Sequence, residues 1–597
     1  MADKILRIGG ASGFWGESAA AMPQFLGAGN LDYIVFDYLA EITMSIMARA
    51  RARDPGLGYA TDFVSAMLAP QLSEFAAQKV RIVSNAGGVN PVACAEAIRR
   101  LIDDAGLDLK VAVVTGDDLL SRADAFASQQ STEMFTAAPF PAPGTIASIN
   151  AYLGAFPIAR ALDRGADIIV TGRVVDSAVT LGACIHEFGW RPEQLDELAG
   201  ASLAGHILEC TGQATGGNFT DWKLTADSMQ DAGYPIAEIA ENGEFTCTKP
   251  GGTGGIVSVG TVSEQLLYEI GDPQAYVLPD VVCDFSQVRL AQTGPDRVRV
   301  SGARGLPAPD SYKVSVTYAD GYRGGQLLMF YGFDADQKAR AYATAALKRA
   351  GARLEREHLA PFTETLVEVI GDESHFGEAR KVAGSREVAV KVAAKHPDRK
   401  GIAVLLQEAI GIALSAPPGL TGFAGGRPRP SPVVRLYSFL LPKAEVSVSI
   451  EMNGETLDAS DRSGVAFVAS DIERPEAPQL ALNETMSIVP LVQLAWGRSG
   501  DKGDNANIGI IARRREYLPW IWATLTEDVV AQRFAHFLEG PVERFLMPGP
   551  AAINFVLHDV LGGGGVASLR NDPQGKGYAQ VLLDQPIPLP APLLETL

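Results

Sequence analysis

Cysteine and histidine are scarce in this sequence of 597 residues, which contains five of the first and seven of the second. The cysteines stand far apart without a C-x-x-C pair, and no two histidines are spaced as H-x-x-x-H. Such short spacings are typical of zinc and redox sites. We therefore expect no metal site and no tightly bound cofactor, and we expect that most of the cysteines are buried thiols.

Long apolar runs and basic residues are also in short supply. No apolar segment approaches the roughly 18 residues of a membrane-spanning helix, and the start, MADKILRIGG, lacks the features of a signal peptide. Lys and Arg number 51 against 70 Asp and Glu, which gives a formal net charge of −19. Such a charge repels nucleic acid and anionic membranes. We expect a cytoplasmic protein that binds neither.

The first part of the chain alternates β-branched apolar runs with helix-length amphipathic segments. The predicted strands are 4–8, 33–37, 80–84, 110–115 and 167–171, and the predicted helices include 38–53, 91–105 and 148–164. Strands that alternate with helices form parallel sheets with right-handed crossovers. The pattern predicts a doubly wound, mostly parallel α/β lobe over residues 1–240.

A chain of this length is too long for one hydrophobic core, so we expect more than one domain. The sequence pattern changes beyond residue 240. Strand-like segments at 254–262, 296–305, 312–319 and 326–333 and helical patterns at 335–357 and 377–394 predict an α+β lobe over 241–453. Polar residues 454–487 read as a connector. Residues 488–597 predict a small α+β domain of the split β-α-β, ferredoxin-like kind, with strands at 488–495, 507–513 and 578–587 and helices near 516–523, 526–537 and 549–561.

Ligands of open parallel sheets bind beyond the carboxyl ends of the strands. After the first strand, GGASGFWGE contains Gly10, Ser12 and Gly13, where the backbone could approach a ligand. The turn lacks the dinucleotide spacing G-x-G-x-x-G and the P-loop lysine, so we expect neither a nicotinamide nor an ATP site. We assign these three residues to substrate or CoA binding.

The second strand ends in FDYLAE, where Glu41 lies one helical turn after Asp37. Two carboxylates at this spacing could face the same cleft and act as general acid and base. Alternatively, Asp37 caps the helix that begins near Tyr38.

Two further strand ends carry candidate residues. SNAGGVNP offers Asn85 and the amides of Gly87 and Gly88 to an oxyanion or phosphate, although it could equally be a tight turn in which Asn90 caps a helix. TGRVVDSA places Arg173 three residues before Asp176. An arginine here suits a carboxylate, a thioester oxygen or a phosphate, and the alternative is a structural ion pair.

Cationic residues also occur in two glycine-rich loops. Lys249 lies in TKPGGTGG, near the join of the two lobes, where it could bind a ligand unless the loop is an ordinary turn. Arg498 and Lys502 lie in GRSGDKGDNANIG, residues 497–509. This loop could contact a ligand or form a polar network that docks the small domain. A cation site in it is disfavoured by the positive charge of Lys502.

The loops taken together resemble one protein family. In order along the chain, the segments are GGASGFWGE, FDYLAEITM, VSNAGGVNP, TGRVVDSA, AGHILECTGQATGGNF, TKPGGTGG and VSEQLLYEIGDPQAYVLPDVVCDF, and then AWGRSGDKGDNANIG, GPVERFLMPGPAAINFVLHDVLGGGG and SLRNDPQGKGYAQ. They are similar to segments of the acyclic terpene utilisation family AtuA. The resemblance covers nearly the whole chain. It implies catabolism of acyclic terpenoids and branched acids through CoA thioesters, but it brings no agreed catalytic residues.

The sequence therefore predicts an enzyme that acts on a branched acyl-CoA or its free acid by hydration, dehydration or C–C cleavage. Asp37 or Asp176 would move the proton, while Asn85, Arg173 and the amides of Gly87 and Gly88 would hold an enolate oxygen. CoA would enter as part of the substrate. The alternative is a non-catalytic acyl-CoA-binding or scaffold subunit with an acyl-CoA carboxylase partner. We expect a symmetric homo-oligomer in either case.

Overall fold

The computed structural model describes residues 4–17, 19–422, 425–461, 463–480 and 486–597. Its largest sheet has eleven strands, and the five at its centre are parallel. The spatial order is Arg289–Gly294, Arg297–Ser301, Phe245–Thr248, Ile236–Ala240, Ile5–Ser12, Tyr33–Phe36, Arg81–Ser84, Ile168–Thr171, Val111–Thr115, Ser449–Met452 and Glu455–Asp458.

Helices cover both faces of this sheet, because its central strands are apolar on both sides and must be buried on both. One face carries Ala21–Ala28, Glu41–Arg53, Leu72–Gln78 and Pro91–Asp104. The other face carries Phe156–Asp163, Ala178–Phe188, Leu195–Glu209 and Val259–Leu266. The prediction of a doubly wound, mostly parallel sheet is thereby confirmed.

A second, antiparallel sheet is organised around the long strand Ser311–Tyr331. Its other strands are Ile146–Ala151, Glu364–Ile370, Glu387–His396, Leu420–Thr421 and Ser431–Pro442. The helices Ala335–Arg356 and Arg399–Gly411 share a core with this sheet. A small three-stranded sheet is formed by Tyr276–Val277, Val282–Asp284 and Arg304–Leu306, and the short helix Ala123–Ser128 follows the strand Val111–Thr115.

Three secondary-structure predictions in the main body are wrong. The segment 148–164 is not one helix, because it contains the end of the strand Ile146–Ala151 and then the helix Phe156–Asp163. The segment 254–262 contains the start of the helix Val259–Leu266, which Ser258 begins with a capping box. The segment 377–394 contains the strand Glu387–His396, whose alternating valines are buried between two partner strands. Pairing across the sheet overrides the local helical preference there.

The C-terminal domain is a four-stranded antiparallel sheet in the order Ala495–Lys502, Asn505–Ala512, Ala552–Leu557 and Val542–Met547. Met486–Pro490 and Pro586–Pro590 pair beside it. Its helices are Leu518–Thr524, Glu527–Arg533, Gly564–Ala567, Tyr578–Leu582 and Ala591–Leu594. The predicted ferredoxin-like class is confirmed.

Several elements inside this domain differ from expectation. The predicted helix at 549–561 is instead the strand Ala552–Leu557, whose six residues are all buried. A short buried apolar run does not distinguish a strand from a helix. The predicted strand at 578–587 begins with the helix Tyr578–Leu582. The stretch 497–509 is no loop, because it forms a β-hairpin that turns at residues 503–504.

The predicted connector 454–487 begins with the strand Glu455–Asp458, which pairs with Ser449–Met452 at one edge of the large sheet. Residues 462 and 481–485 of this segment lie outside the described ranges. Among the helices that the structure describes, none combines the length and the apolar character needed to cross a membrane.

Candidate functional site

Three carboxylates meet beside the carboxyl ends of the central strands. Asp37 follows the strand Tyr33–Phe36, Asp176 follows Ile168–Thr171, and Glu209 ends the helix Leu195–Glu209. One carboxylate oxygen of each lies within 4.8 Å of the others. We call these three residues the acidic cluster. Two of its members come from the strand ends that the sequence singled out, whereas Glu209 arrives from a neighbouring helix.

Asp37 is held by the amide of Asn85. Asn85 Nδ2 donates a hydrogen bond to Asp37 Oδ1, and Asn85 Oδ1 accepts one from the Tyr38 backbone N–H at 2.7 Å. One N–H and the oxygen of the amide are therefore engaged, so Asn85 positions Asp37, and contact of its second N–H with an enolate oxygen stays a prediction. Burial raises the pKa of Asp37 well above its ordinary value, and the charge of Asp176 raises it further.

Neither capping alternative is observed. The helix after Asp37 begins at Glu41, its N-cap is Ala40, and no side chain caps it. Asn90 precedes the helix Pro91–Asp104 without a side-chain capping bond, and its amide instead donates to the carbonyl oxygens of Pro55 at 2.9 Å and Leu57 at 2.8 Å.

Arg173 is buried beside the acidic cluster, with 3% of its surface exposed. Its Nη1 donates to Asp176 Oδ1 at 2.6 Å and to the Val174 carbonyl at 3.0 Å. The guanidinium carbon lies 4.1 Å from the centre of the Tyr152 ring. The structural ion pair considered from the sequence is therefore present, and it places a fixed positive charge beside two carboxylates.

The pKa of Glu41 is shifted in the opposite direction to that of Asp37, which lies four residues earlier in the chain. Tyr152 donates its hydroxyl hydrogen to Glu41 Oε1 at 2.5 Å, and Lys313 Nζ lies 4.0 Å from the same oxygen. Burial acts to raise the pKa of Glu41, but the charges of Lys313 and Arg173 and the bond from Tyr152 lower it to about 2. The pKa of one carboxyl group of the site is thus raised and that of another is lowered. Such pairs mark acid and base assignments in enzymes.

The C-terminal domain forms the opposite side of this site. Lys502, the last residue of the strand Ala495–Lys502, has its ammonium 4.0 Å from Glu269 Oε2. Burial acts to lower the pKa of Lys502. The negative charges of Glu269, Asp176, Glu209 and Glu41 act in the opposite direction, and on balance the pKa is raised. Lys576 donates to Glu269 Oε1 at 2.7 Å. Charged residues of the two domains therefore act on one another at this place, and we call the region between them the cleft.

Arg498 and Asn507 of the 497–509 hairpin dock the domain on the main body. Arg498 Nη1 donates to the Asn218 carbonyl at 2.9 Å, and its guanidinium lies 4.6 Å from the Tyr268 ring centre. Asn507 Nδ2 donates to the Leu267 carbonyl at 2.6 Å. A Cβ atom on Gly509 would lie only 2.5 Å from Leu267 Cβ, so this close approach requires glycine.

The glycines predicted as ligand contacts have close structural neighbours. A Cβ on Gly10 would lie 2.7 Å from the Leu208 carbonyl oxygen, and one on Gly13 would lie 2.5 Å from that of Glu209. These glycines let the end of the helix that carries Glu209 approach the first strand. A Cβ on Gly87 would similarly lie 2.5 Å from the Thr171 carbonyl oxygen, and Gly88 has a φ of +54°. Their contact with substrate stays a prediction.

Ser12 and Lys249 have partners of their own. Ser12 Oγ donates to the Phe14 carbonyl at 3.0 Å. Lys249 Nζ donates to the Thr253 carbonyl at 2.8 Å and pairs with Asp296 at 3.2 Å. Its ammonium is therefore held by Thr253 and Asp296, while Asp37, Asn85, Arg173, Asp176 and Lys502 come together around the cleft.

Sequence reasoning missed several residues of the cleft, namely Glu209, Glu269, Lys313, Lys576 and Tyr152. Glu209 lies in AGHILECTGQATGGNF, one of the segments that carry the family resemblance. Lys313 is one residue of a long antiparallel strand that belongs to the second sheet. No short motif in the sequence signals that this strand passes the mouth of the first sheet.

The oxygen atoms of the acidic cluster are of the type that hard divalent cations prefer. Arg173 and the charge of Lys502 already offset these carboxylates, and we assign no ion to them. In the hairpin, Asp501 accepts from Gln574 at 3.1 Å and Asp504 accepts from the Gly563 N–H at 2.8 Å. Those two carboxylates serve the local structure.

Fold and site together define a class of protein, an α/β main body whose strand-end site is closed on one side by a ferredoxin-like domain. Residues 6–452 match the family model of the acyclic terpene utilisation family protein AtuA, and residues 489–588 match that of the AtuA ferredoxin-like domain. The chain belongs to the AtuA family, and its role lies in acyclic terpene utilisation. No curated protein and no solved structure matches it.

Proposed function

We propose that this protein is a cytoplasmic enzyme of acyclic terpenoid or branched-acid catabolism. Its substrate is an acyl-CoA thioester or the free acid, and its reaction is a hydration, a dehydration or a C–C cleavage. The observation that carries the proposal is the pair Asp37 and Glu41, whose pKa values are moved in opposite directions inside one cleft. All three reactions need a group that gives or takes a proton near a carbonyl.

Asp37 is the proton carrier that the site supports best. Its carboxyl group is buried and oriented by Asn85, and burial raises its pKa. Asp176 is the second candidate, because Arg173 orients it at the same edge. Arg173 supplies the positive charge that would stabilise an enolate oxygen. Asn85 positions Asp37 with one N–H of its amide, and its second N–H is the donor that we propose for the same oxygen.

The role of CoA follows from the same arrangement. We propose that CoA enters as part of the substrate and leaves with the product, since the cleft between the domains is lined by charged groups on both sides. We also propose that the protein forms a homo-oligomer and that an acyl-CoA carboxylase is its partner.

A binding screen followed by turnover tests this function. Ligands that bind only the folded protein raise its apparent stability, so we expect branched acyl-CoA compounds or their acids to raise the melting temperature. The compounds that do so are then assayed for hydration, dehydration and cleavage products. Co-purification of a carboxylase together with an absence of independent turnover would identify a non-catalytic subunit instead.

A further inference from the structure

A small polar cavity lies where the second sheet meets the strand ends of the first. It encloses about 10 Å³, which is close to the minimum that one water molecule requires. Its lining residues are Glu41, Met44, Ser148, Asn150, Tyr152, Arg173, Ser315 and Thr317. All of them except Met44 carry polar side-chain atoms, so this cavity differs from the dry, apolar kind.

Two cross-strand pairs of the second sheet form one wall of the cavity. Asn150 is directly opposite Ser315 in the antiparallel register. Ser148 is opposite Thr317 in the same way. Residues paired like this lie side by side on one face of a sheet. The hydroxyl groups of Ser148 and Thr317 bond to each other at 2.6 Å, so this second pair is satisfied.

The pair Asn150 and Ser315 has hydrogen-bonding atoms to spare. Asn150 Nδ2 donates to Asp117 Oδ2 at 2.8 Å, which fixes the orientation of the amide and leaves Oδ1 as its acceptor. Asn150 is 2% exposed and Ser315 is 6% exposed. Among the residues that the structure describes, neither Asn150 Oδ1 nor Ser315 Oγ has a partner. Buried polar atoms are rarely left in that condition.

Arg173 supplies a complementary donor. Its Nη1 is occupied by Asp176 and by the Val174 carbonyl, whereas its Nε–H is buried and has no acceptor within the described ranges. The cavity thus offers one donor, one acceptor and a serine hydroxyl that can be either. A single neutral O–H group can accept from Arg173 and donate to Asn150 at once. An anion lacks the hydrogen for Asn150, and a cation lacks the lone pair for Arg173.

Glu41 favours the same kind of occupant. Its Oε1 accepts a hydrogen bond from Tyr152 at 2.5 Å, and its pKa is lowered to about 2. An ionised carboxylate beside the cavity disfavours a second anion and accepts hydrogen bonds. Because 29% of the Glu41 side chain is exposed, the cavity borders a part of the site that solvent reaches.

We infer that this cavity is a hydroxyl pocket, which binds one neutral O–H group through Arg173 Nε, Asn150 Oδ1 and Ser315 Oγ. The group belongs either to a water molecule or to a hydroxyacyl substrate. The second source rests on the proposed function, since a hydroxyacyl compound is the product of a hydration and the substrate of a dehydration. With either occupant, the bond to Nε helps to fix the plane of the guanidinium group that serves Asp176.

Crystal structures and calorimetric titrations of the full-length protein test the hydroxyl pocket. Ser315→Ala removes one partner of the occupant, and Ser315→Val fills the pocket with a larger apolar side chain. Ser263→Ala is the matched control, because Ser263 Oγ is also buried without a partner in the described part of the chain but does not line the cavity. The probes are 3-hydroxy-3-methylbutanoate and 3-methylbutanoate, which differ by one hydroxyl group.

We expect the free wild type and Ser263→Ala to contain one water molecule within hydrogen-bond distance of Arg173 Nε and Asn150 Oδ1. Ser315→Val should lack it. If the substrate hydroxyl takes its place, the wild type should bind the hydroxy acid at least about 10-fold more tightly than 3-methylbutanoate. Ser315→Val should lose that preference, and Ser315→Ala should reduce it. Equal binding of the two acids, or binding of neither, beside an ordered water identifies water as the occupant.

The hydroxyl pocket is wrong if the free wild type contains no ordered oxygen between Arg173 and Asn150 and shows no preference for the hydroxy acid. An ordered ion at that position would also overturn it. Failure of the proposed function looks different, because the pocket would then be occupied in the crystal while no acyl compound is turned over.

Discussion

Asn507 donates a hydrogen bond from Nδ2 to Oδ1 of Asn554 at 2.9 Å, and both amides reach across to the main body. Asn507 Nδ2 also donates to the Leu267 carbonyl, and its Oδ1 accepts from the Glu269 N–H at 2.9 Å. Asn554 donates to the carbonyls of Ile270 at 2.9 Å and Gly271 at 2.6 Å. The two side chains thus provide hydrogen-bond partners for backbone groups of residues 267–271 at the domain interface, next to the cleft.

Asn507→Ala and Asn554→Ala should each loosen this docking. Both side chains are almost fully buried, with 1% and 0% exposed, so each change leaves buried partners without hydrogen bonds and costs about 1–3 kcal/mol. Urea unfolding followed by tryptophan fluorescence measures the loss. The double variant should lose less than the sum, because the two amides bond to each other.

A matched asparagine provides the control. Asn242 is exposed and accepts only from the nearby Glu244 N–H at 3.2 Å, so Asn242→Ala should stay within about 0.5 kcal/mol of the wild type. Equal effects at Asn242 and Asn507 would contradict a special role of the pair in docking.

Gly509→Ala should destabilise the interface, whereas the same change at Gly351 should not. The new methyl at residue 509 meets Leu267 Cβ at 2.5 Å, an overpacking that costs about 1–3 kcal/mol. Gly351 lies in the helix Ala335–Arg356, and a Cβ there meets nothing within 4 Å. Alanine at that position should stabilise by about 0.5–1 kcal/mol. The denaturant concentration at the midpoint of unfolding should therefore fall in Gly509→Ala and rise in Gly351→Ala.

Asp37→Asn should abolish proton transfer while preserving the fold. An amide at this position can still accept the hydrogen bond from Asn85, but it cannot exchange a proton, so turnover on a substrate found by the screen should fall by about 10²–10⁴-fold. Asp176→Asn should show a loss of the same kind if it shares the role.

Circular dichroism and the exposed variant Asp103→Asn control for folding and for loss of negative charge. If Asp37→Asn and Asp176→Asn both turn over at the wild-type rate, neither carboxylate carries the proton and the assignment fails.

Glu264 should make stability fall as the pH rises. Its carboxyl group is 3% exposed and accepts from the Thr220 N–H at 3.0 Å, and burial raises its pKa from 4.5 to about 7. Between these two values the folded state binds a proton that the unfolded state has released. The free energy of unfolding contributed by this group therefore declines with increasing pH in that window.

Glu264→Gln removes that dependence. The variant should gain stability relative to the wild type as the pH goes from 5 to 8, by up to about 3 kcal/mol. Urea titrations of both proteins at several pH values give the difference, in which other titrating groups cancel. A difference that does not change with pH would show that Glu264 keeps its ordinary pKa.

Local pattern was enough to predict the central parallel strands and the residues that follow them. Apolar runs such as Ile168–Thr171 are bounded by turn residues and fully buried, and parallel strands place their ends at one edge. That reasoning places Asp37, Asn85, Arg173 and Asp176 at one edge of the sheet. It failed at Ala552–Leu557 and Glu387–His396, where partner strands distant in sequence decide the conformation.

The sequence by itself determined the doubly wound class, the family and the polar strand ends, because each is written in short segments whose periodicity or motif is local. Only the tertiary structure decided that Glu209 joins Asp37 and Asp176, and that Lys313 and Lys502 enter the same cleft from another sheet and another domain. Such meetings depend on contacts between residues hundreds of positions apart. Close approaches at Gly10 and Gly13 bring Glu209 to the first strand, and the one at Gly509 brings the C-terminal domain against the main body.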